Sequence, residues 1–374
     1  MSDKLDCKKL WEELIKRDFS ECRLLFNEMR DIVKGPDSEI GRLREMKLFV
    51  APELKHLKLK EQYDSQVEVA WKSGLFGEVS DAHGLPVIER GDKKYPMPNW
   101  REVQKALRKP ENLEIIKEKS AQGFTKMLIV PFGYDLKTMA EKFNDKVMEL
   151  DRAGLNPDGS SNPDKGIFGA GGEKVEFNRE DADYPVYVWE GWDENQMVYY
   201  PKQYDKDNHG GLSKKDAIKI NGAWQICFVE DMAVIPLEAD EKKDVIGGRK
   251  RIDRKGSCIK SQTGTPQIQQ FHAAMQDKEK MANPAKYRHE KGQTNEQCLW
   301  MQLTSLLEKE IPVLMDYENG EFRGTYLTES YNIASHGVPV VYWSQNFRQF
   351  GLYGDNPGYQ VGDYGVRPSV NIIK

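Results

Sequence analysis

Few residue clusters in this chain combine the types and spacing that catalysis or ligand capture requires. Six histidines (His56, His83, His209, His272, His289, His336) include no His-Glu-x-x-His or His-x-His pattern, which leaves a catalytic metal without an anchor. Five cysteines (Cys7, Cys22, Cys227, Cys258, Cys298) are odd in number, scattered and free of any Cys-x-x-Cys pair, so neither a disulfide framework nor a zinc site is expected. Cys298 has no histidine nearby in sequence to make it a nucleophile. The run GIFGAGGEK (166–174) has the glycines of a phosphate loop but lacks the Gly-Lys-Ser/Thr ending and a following helix, and reads as a loop or hairpin. Arg249, Lys250, Arg251, Arg254 and Lys255 could meet nucleic acid, yet one such cluster in an acidic chain reads as an exposed loop. No catalytic signature emerges, and no enzyme, cofactor or metal is expected.

The chemistry that does stand out is that of recognition. Residues 338–374, VPVVYWSQNFRQFGLYGDNPGYQVGDYGVRPSVNIIK, contain seven aromatic residues and five glycines, no Glu, and only the terminal Lys. Tyr and Trp supply large contact area at low entropic cost, while Ser, Gly and Asn adapt their hydrogen bonding, and paratopes use this mixture. An ordinary aromatic β hairpin has the same composition, so composition leaves both readings open. A calcium site takes several close oxygen ligands with more than one carboxylate among them, and with Asp355 and Asp363 as the segment's only acids calcium is unsupported.

The elements that must position this segment follow from periodicity. Leu10 to Ile32 and Ser38 to Phe49 have helical spacing, as do Lys55 to Ser73 and Trp100 to Gln122, with a Gly- and Pro-punctuated hairpin over 75–98. After Gly123 the texture changes. KMLIVPFG (126–133) predicts a strand, Leu136 to Leu150 a helix, and 156–173 a long loop. YPVYVWEGW (184–192) and MVYYP (197–201) read as strands paired with each other, and WQICFVEDM (224–232) as another. A helix over 295–310 precedes strands in 324–332, 337–343 and 365–373. The expected class is α+β: a mainly helical region 1–122 with a small hairpin, then a domain 123–374.

The net charge of −5 argues against a general nucleic-acid or anionic-membrane binder. No apolar run reaches the length of a membrane span, and the charged start MSDKLDCKKLWEEL is unlike a signal peptide. Synthesis in a cytoplasm is expected, with a final site at a virion or cell surface.

The frame YWxxxxRQxxLYGxxPGxxxxxxGVRPSV, carried by Trp343, Arg348, Gln349, Leu352, Gly354, Pro357, Gly358, Gly365, Arg367 and Pro368, resembles the variable region of diversity-generating retroelement target proteins. TYLTESY (325–331), GVPVVYW (337–343), YPVYVWEGW, WQICFVEDM and IGGRK (246–250) upstream are similar to the long variable proteins of archaeal viruses and of small-genome bacteria and archaea. The likeness covers about residues 123 to 374. It implies a C-type-lectin-like domain, related in shape to formylglycine-generating enzymes, with the variable region at 338–370 and massive sequence variation at the residues that meet the ligand. Those implied positions are Tyr342, Ser344, Asn346, Phe347, Phe350, Tyr353, Asp355, Asn356, Tyr359, Val361, Asp363 and Tyr364, with Trp343, Arg348, Gly354, Gly365 and Arg367 as their scaffold. The implied partner is a protein or cell-surface ligand, recognised by a viral receptor-binding component; the alternative is a structural virion or cell-surface protein with a fixed aromatic partner interface. Neither the Glu-Pro-Asn or Gln-Pro-Asp and Trp-Asn-Asp motifs of calcium-dependent lectins nor the catalytic cysteines of the enzymes recur in the terminal segment, so shape carries no activity with it.

Overall fold

In the computed structural model the described residues are 52–231, 234, 245–246, 249–250, 288–318, 320–322, 324–357 and 364–373. The helices expected before Pro52 lie outside them. Six α-helices and several sheets make a mixed α+β architecture among the described residues.

A four-stranded antiparallel sheet has the order β3 (Phe124–Val130), β6 (Gln225–Glu230), β17 (Ser369–Asn371), β9 (Glu290–Lys291). β3 is its edge, and an edge strand leaves a row of backbone groups without partners. Helix α1 (Leu59–Lys72) answers this with two glutamines one turn apart. Gln62 accepts from the Met127 N–H (2.6 Å) and donates to the Thr125 carbonyl (2.9 Å). Gln66, fully buried, accepts from the Ile129 N–H (3.0 Å) and from the Trp300 indole (2.7 Å). These bonds tie α1 into the unit that runs from Glu53 to Lys374.

The helix predicted over 100–122 is two. α2 (Trp100–Leu107) starts at an Asn99/Glu102 capping box, and α3 (Pro110–Ser120) starts on Pro110, which suits a first helical position and not a helix interior. The hairpin expected in 75–98 is β1 (Val87–Arg90) with β2 (Lys93–Pro96).

A five-stranded sheet carries the C-terminal segment. Its order is β16 (Tyr364–Gly365), β12 (Gly324–Tyr326), β14 (Val338–Ser344), β15 (Gln349–Asp355), β4 (Val186–Val188). β14 and β15 form an antiparallel hairpin, and β4 pairs with β15 in parallel. The expected pairing of 184–192 with 197–201 does not occur: β5 (Met197–Tyr199) pairs instead with β13 (Ser330–Asn332). Short hairpins β7 (Val245–Ile246) with β8 (Arg249–Lys250), and β10 (Tyr317–Glu318) with β11 (Glu321–Phe322), complete the strands described.

Helix α4 (Leu136–Ala153) buries Leu136, Met139, Ala140, Phe143 and Val147, an i, i+3, i+4, i+7, i+11 stripe, and sets Phe143 against Phe350 of β15. α5 (Lys214–Asn221) is capped by Ser213. α6 (Asn295–Leu307) follows a Thr294/Gln297 capping box and is buried almost all round between α1 and α4, which fits its many apolar residues (Cys298, Leu299, Trp300, Met301, Leu303, Leu306).

Candidate functional site

The β14–β15 hairpin has two faces of different chemistry. Strand alternation sends Val341 and Trp343, with Leu352 and Phe350 opposite them, to one side. There Trp343 packs edge-on against Phe177 (5.0 Å) and Tyr317 (5.2 Å), and Phe350 meets Phe143 (5.2 Å). The other side carries Val340, Tyr342 and Ser344, with Tyr353, Gly351 and Gln349 opposite. One half of it is covered: Val338, Val340 and Tyr326 pack with Val198, Tyr331 and Val366 in a buried cluster. The other half is an open aromatic ledge.

Four rings build the ledge. Tyr353, 41% exposed, lies 6.1 Å from each of Tyr342, Tyr187 and Trp189, which are half-buried. Tyr187 comes from β4 and stands beside Gly351 in the parallel register. Glycines let the rings lie on the backbone. A Cβ on Gly354 would come within 2.0 Å of the Trp189 ring, one on Gly191 within 2.3 Å of it, and one on Gly351 within 2.5 Å of the Tyr342 ring. Gly354, a scaffold position by resemblance, thereby has a steric reason to be glycine.

The segment that brings Tyr187 and Trp189 to the hairpin is held by specific bonds. Asp151, buried at the end of α4, accepts from Arg179 (2.6 and 2.7 Å) and from the Tyr184 hydroxyl (2.6 Å) just before β4. Beyond β4, the Trp189 N–H donates to the Leu352 carbonyl (2.8 Å), the Trp192 indole to the Tyr353 carbonyl (2.9 Å) and the Asn332 amide to the Gly191 carbonyl (2.8 Å). Burial raises the phenol pKa of Tyr187 and Tyr342; Tyr353 adds to both, and Asp183 and Glu190 add to Tyr187.

The remaining implied positions divide. Asn346 and Phe347 (55% exposed) sit at the hairpin turn, where the Phe347 N–H donates to Ser344 (3.4 Å). Asp355 accepts from the Tyr326 hydroxyl (3.2 Å), and Asn356 is exposed. Phe350 differs from the other positions in being fully buried on the core face. Tyr359, Val361 and Asp363 lie outside the described residues, and of Tyr364 only the strand backbone is described. Among the scaffold positions, Trp343 is in the core, and Gly365 pairs with Thr325 through β16. Arg367 is buried in an ion pair with Asp316 (2.6 Å), whose other oxygen accepts from Thr325 (3.0 Å). Arg348 is exposed, with backbone in the left-handed region, and it is its carbonyl that accepts, from the Asn178 N–H (3.0 Å).

The other sequence candidates have structural roles. In GIFGAGGEK the N–H groups of Phe168, Gly169, Ala170 and Gly172 donate to backbone carbonyls and are not aimed at an anion. Burial pushes the Cys227 thiol up to about 12 and raises that of Cys298 further, which makes both poor nucleophiles. The Arg249–Lys250 backbone lies in β8; Arg251, Arg254 and Lys255 are outside the described residues. An open cleft between α1, β3 and α6 is crossed by the Lys126–Glu308 ion pair. Among the described residues no three His, Cys, Asp or Glu side chains are grouped to hold a metal, and no helix is long and apolar enough to cross a membrane. Tyr187 and Trp189 are site residues that sequence reasoning missed; the available signal was the alternation Tyr187-Val188-Trp189 in a strand otherwise apolar.

No family model, no curated protein and no solved structure matches the chain.

Proposed function

We propose that this chain is a non-enzymatic ligand-binding protein of the diversity-generating retroelement type, with a C-type-lectin-like domain whose β14–β15 face recognises a protein or cell-surface ligand. In this reading it serves as a receptor-binding component of a virus or its cellular counterpart. The observation that carries the proposal is the sorting of the hairpin. Tyr342, Ser344, Tyr353 and Asp355 share one face and Asn346 and Phe347 the turn, while the resembling frame's Trp343 and Leu352 pack inward. Substitution is tolerated where side chains face solvent and costly where they fill a core. Binding energy would concentrate in a few aromatic anchors.

The test is the DNA flanking the gene. The reading expects a near-copy of the bases encoding 338–370 that differs almost only at adenines, next to a reverse-transcriptase gene. It further expects differences at the codons for Tyr342, Asn346, Phe347 and Tyr353, and none at those for Trp343, Leu352 and Arg367. Absence of both the copy and the reverse transcriptase would make the ledge a fixed partner interface instead.

A further inference from the structure

The open ledge has a consistent electrostatic character. Tyr187 and Trp189 belong to residues 180–194, which contain six acids (Glu180, Asp181, Asp183, Glu190, Asp193, Glu194) and no Lys or Arg. Asp183 and Glu190 are exposed on either side of β4 and act on the Tyr187 phenol; Glu194 is spent on Arg90. Asp355 stands on the same hairpin face as Tyr342 and Tyr353, its carboxylate oriented by the Tyr326 hydroxyl and the Asn356 N–H (2.8 Å). The hairpin's one cation, Arg348, is at the turn, with its carbonyl bonded to Asn178.

Aromatic faces carry negative quadrupole potential, and a cation over Trp or Tyr is attracted to it. A guanidinium also stacks on a ring with its plane while its N–H fork reaches a neighbouring carboxylate, which an ammonium does less well. Resting on the reading of this face as the binding surface, we infer that the Tyr187–Trp189–Tyr342–Tyr353 ledge takes an arginine side chain from an exposed segment of a partner protein, with Asp183, Glu190 and Asp355 as its acidic rim. Half of this site, Tyr187 and Trp189, lies outside the terminal segment. It is a constant part beside which the hairpin's residues can change.

The probe is a fluorescently labelled nine-residue peptide alternating Gly and Arg, titrated by anisotropy into the full chain. Its counterpart has citrulline at each Arg, which keeps shape and removes charge. The Arg peptide is expected to bind at least about tenfold tighter than the citrulline peptide, and more weakly as salt is raised. Tyr187→Ala with Tyr353→Ala should weaken it about tenfold, Tyr353→Phe should retain binding because the ring remains, and Asp183→Asn with Glu190→Gln should weaken it several-fold. Glu111→Gln with Glu141→Gln, the same charge change on exposed helical positions elsewhere, should leave it unchanged. Equal binding of the citrulline peptide, equal loss in that distant control, or undiminished binding by the folded double tyrosine variant would each overturn the inference. Thermal melts establish that the variants are folded. A negative titration together with an adenine-marked copy in the flanking DNA would remove the arginine ligand and keep the diversified surface.

Discussion

The two faces of the β14–β15 hairpin use the same residue types for opposite ends. On one, Trp343 and Phe350 are locked among Phe177, Tyr317 and Phe143; on the other, Tyr342 lies on Gly351 and Trp189 on Gly354 and Gly191, beside Tyr187 and Tyr353, and Tyr353 keeps much of its surface in water. An aromatic ring is therefore no sign of function in itself. What separates the faces is the neighbour: interlocking side chains on the core face, and a glycine backbone on the open one. A ring that rests on backbone can be exchanged without opening a cavity behind it.

The strongest way to break this contrast is to attack what holds the core face. Arg367 and Asp316 are both buried, so Asp316→Ala strands a charge in the interior and should cost about 3–5 kcal/mol in chemical denaturation. A loss below about 1 kcal/mol would mean that the pair is solvated. Phe350→Ala should cost about 3–5 kcal/mol, because the ring is fully buried against α4 and its removal leaves a cavity. If Phe350→Ala is instead as mild as a surface change, both faces of the hairpin are tolerant and the assignment of Phe350 to the core fails.

The covered half of the open face sharpens the comparison through pH. Glu329, at the β12–β13 turn, has its carboxyl raised from 4.5 to about 7 by burial, an effect that Lys291 only partly opposes. Below about pH 4.5 the group is protonated in folded and unfolded chains alike and costs nothing. As pH rises the unfolded chain ionises first, so stability declines until the folded value is passed, by about 3 kcal/mol in all. Glu329→Gln should flatten this decline in denaturation curves taken between pH 4 and 8, leaving the variant the more stable above pH 7. An undiminished decline in the variant would assign it to another group.

Much of this was readable from residue patterns. The period of Leu136, Met139, Ala140, Phe143 and Val147 predicts α4, and the glycine–tyrosine texture marks the ledge's hairpin. The burial of Phe350 follows from alternation: Leu352, two residues on, shares its face, and a period of two is legible in the sequence. Other features were beyond local reading. The parallel pairing of β4 with β15 joins residues more than 160 positions apart, and nothing near Val186 names its partner. The capture of the β3 edge by Gln62 and Gln66 uses polar residues on a helix face where periodicity counts only apolar ones.

The smallest predicted effect is the one most specific to a binding surface. Tyr353→Ser removes the most exposed ring of the ledge, and the pairing of β15 with β14 and β4 keeps the strand in place without it. Because no core cavity forms, the stability loss should stay within about 1 kcal/mol, a shift of a few degrees or less in melting temperature for a unit of this size. The other three rings pull the other way, since each touches Tyr353 and such pairs are worth about 0.5–1.5 kcal/mol beyond burial. The comparison thus turns on Tyr353→Ser against Phe350→Ala measured side by side. A several-fold smaller loss for Tyr353 marks the ledge as a surface whose rings serve a partner, whereas equal losses would make it a second core, closed by contacts that Tyr353 completes.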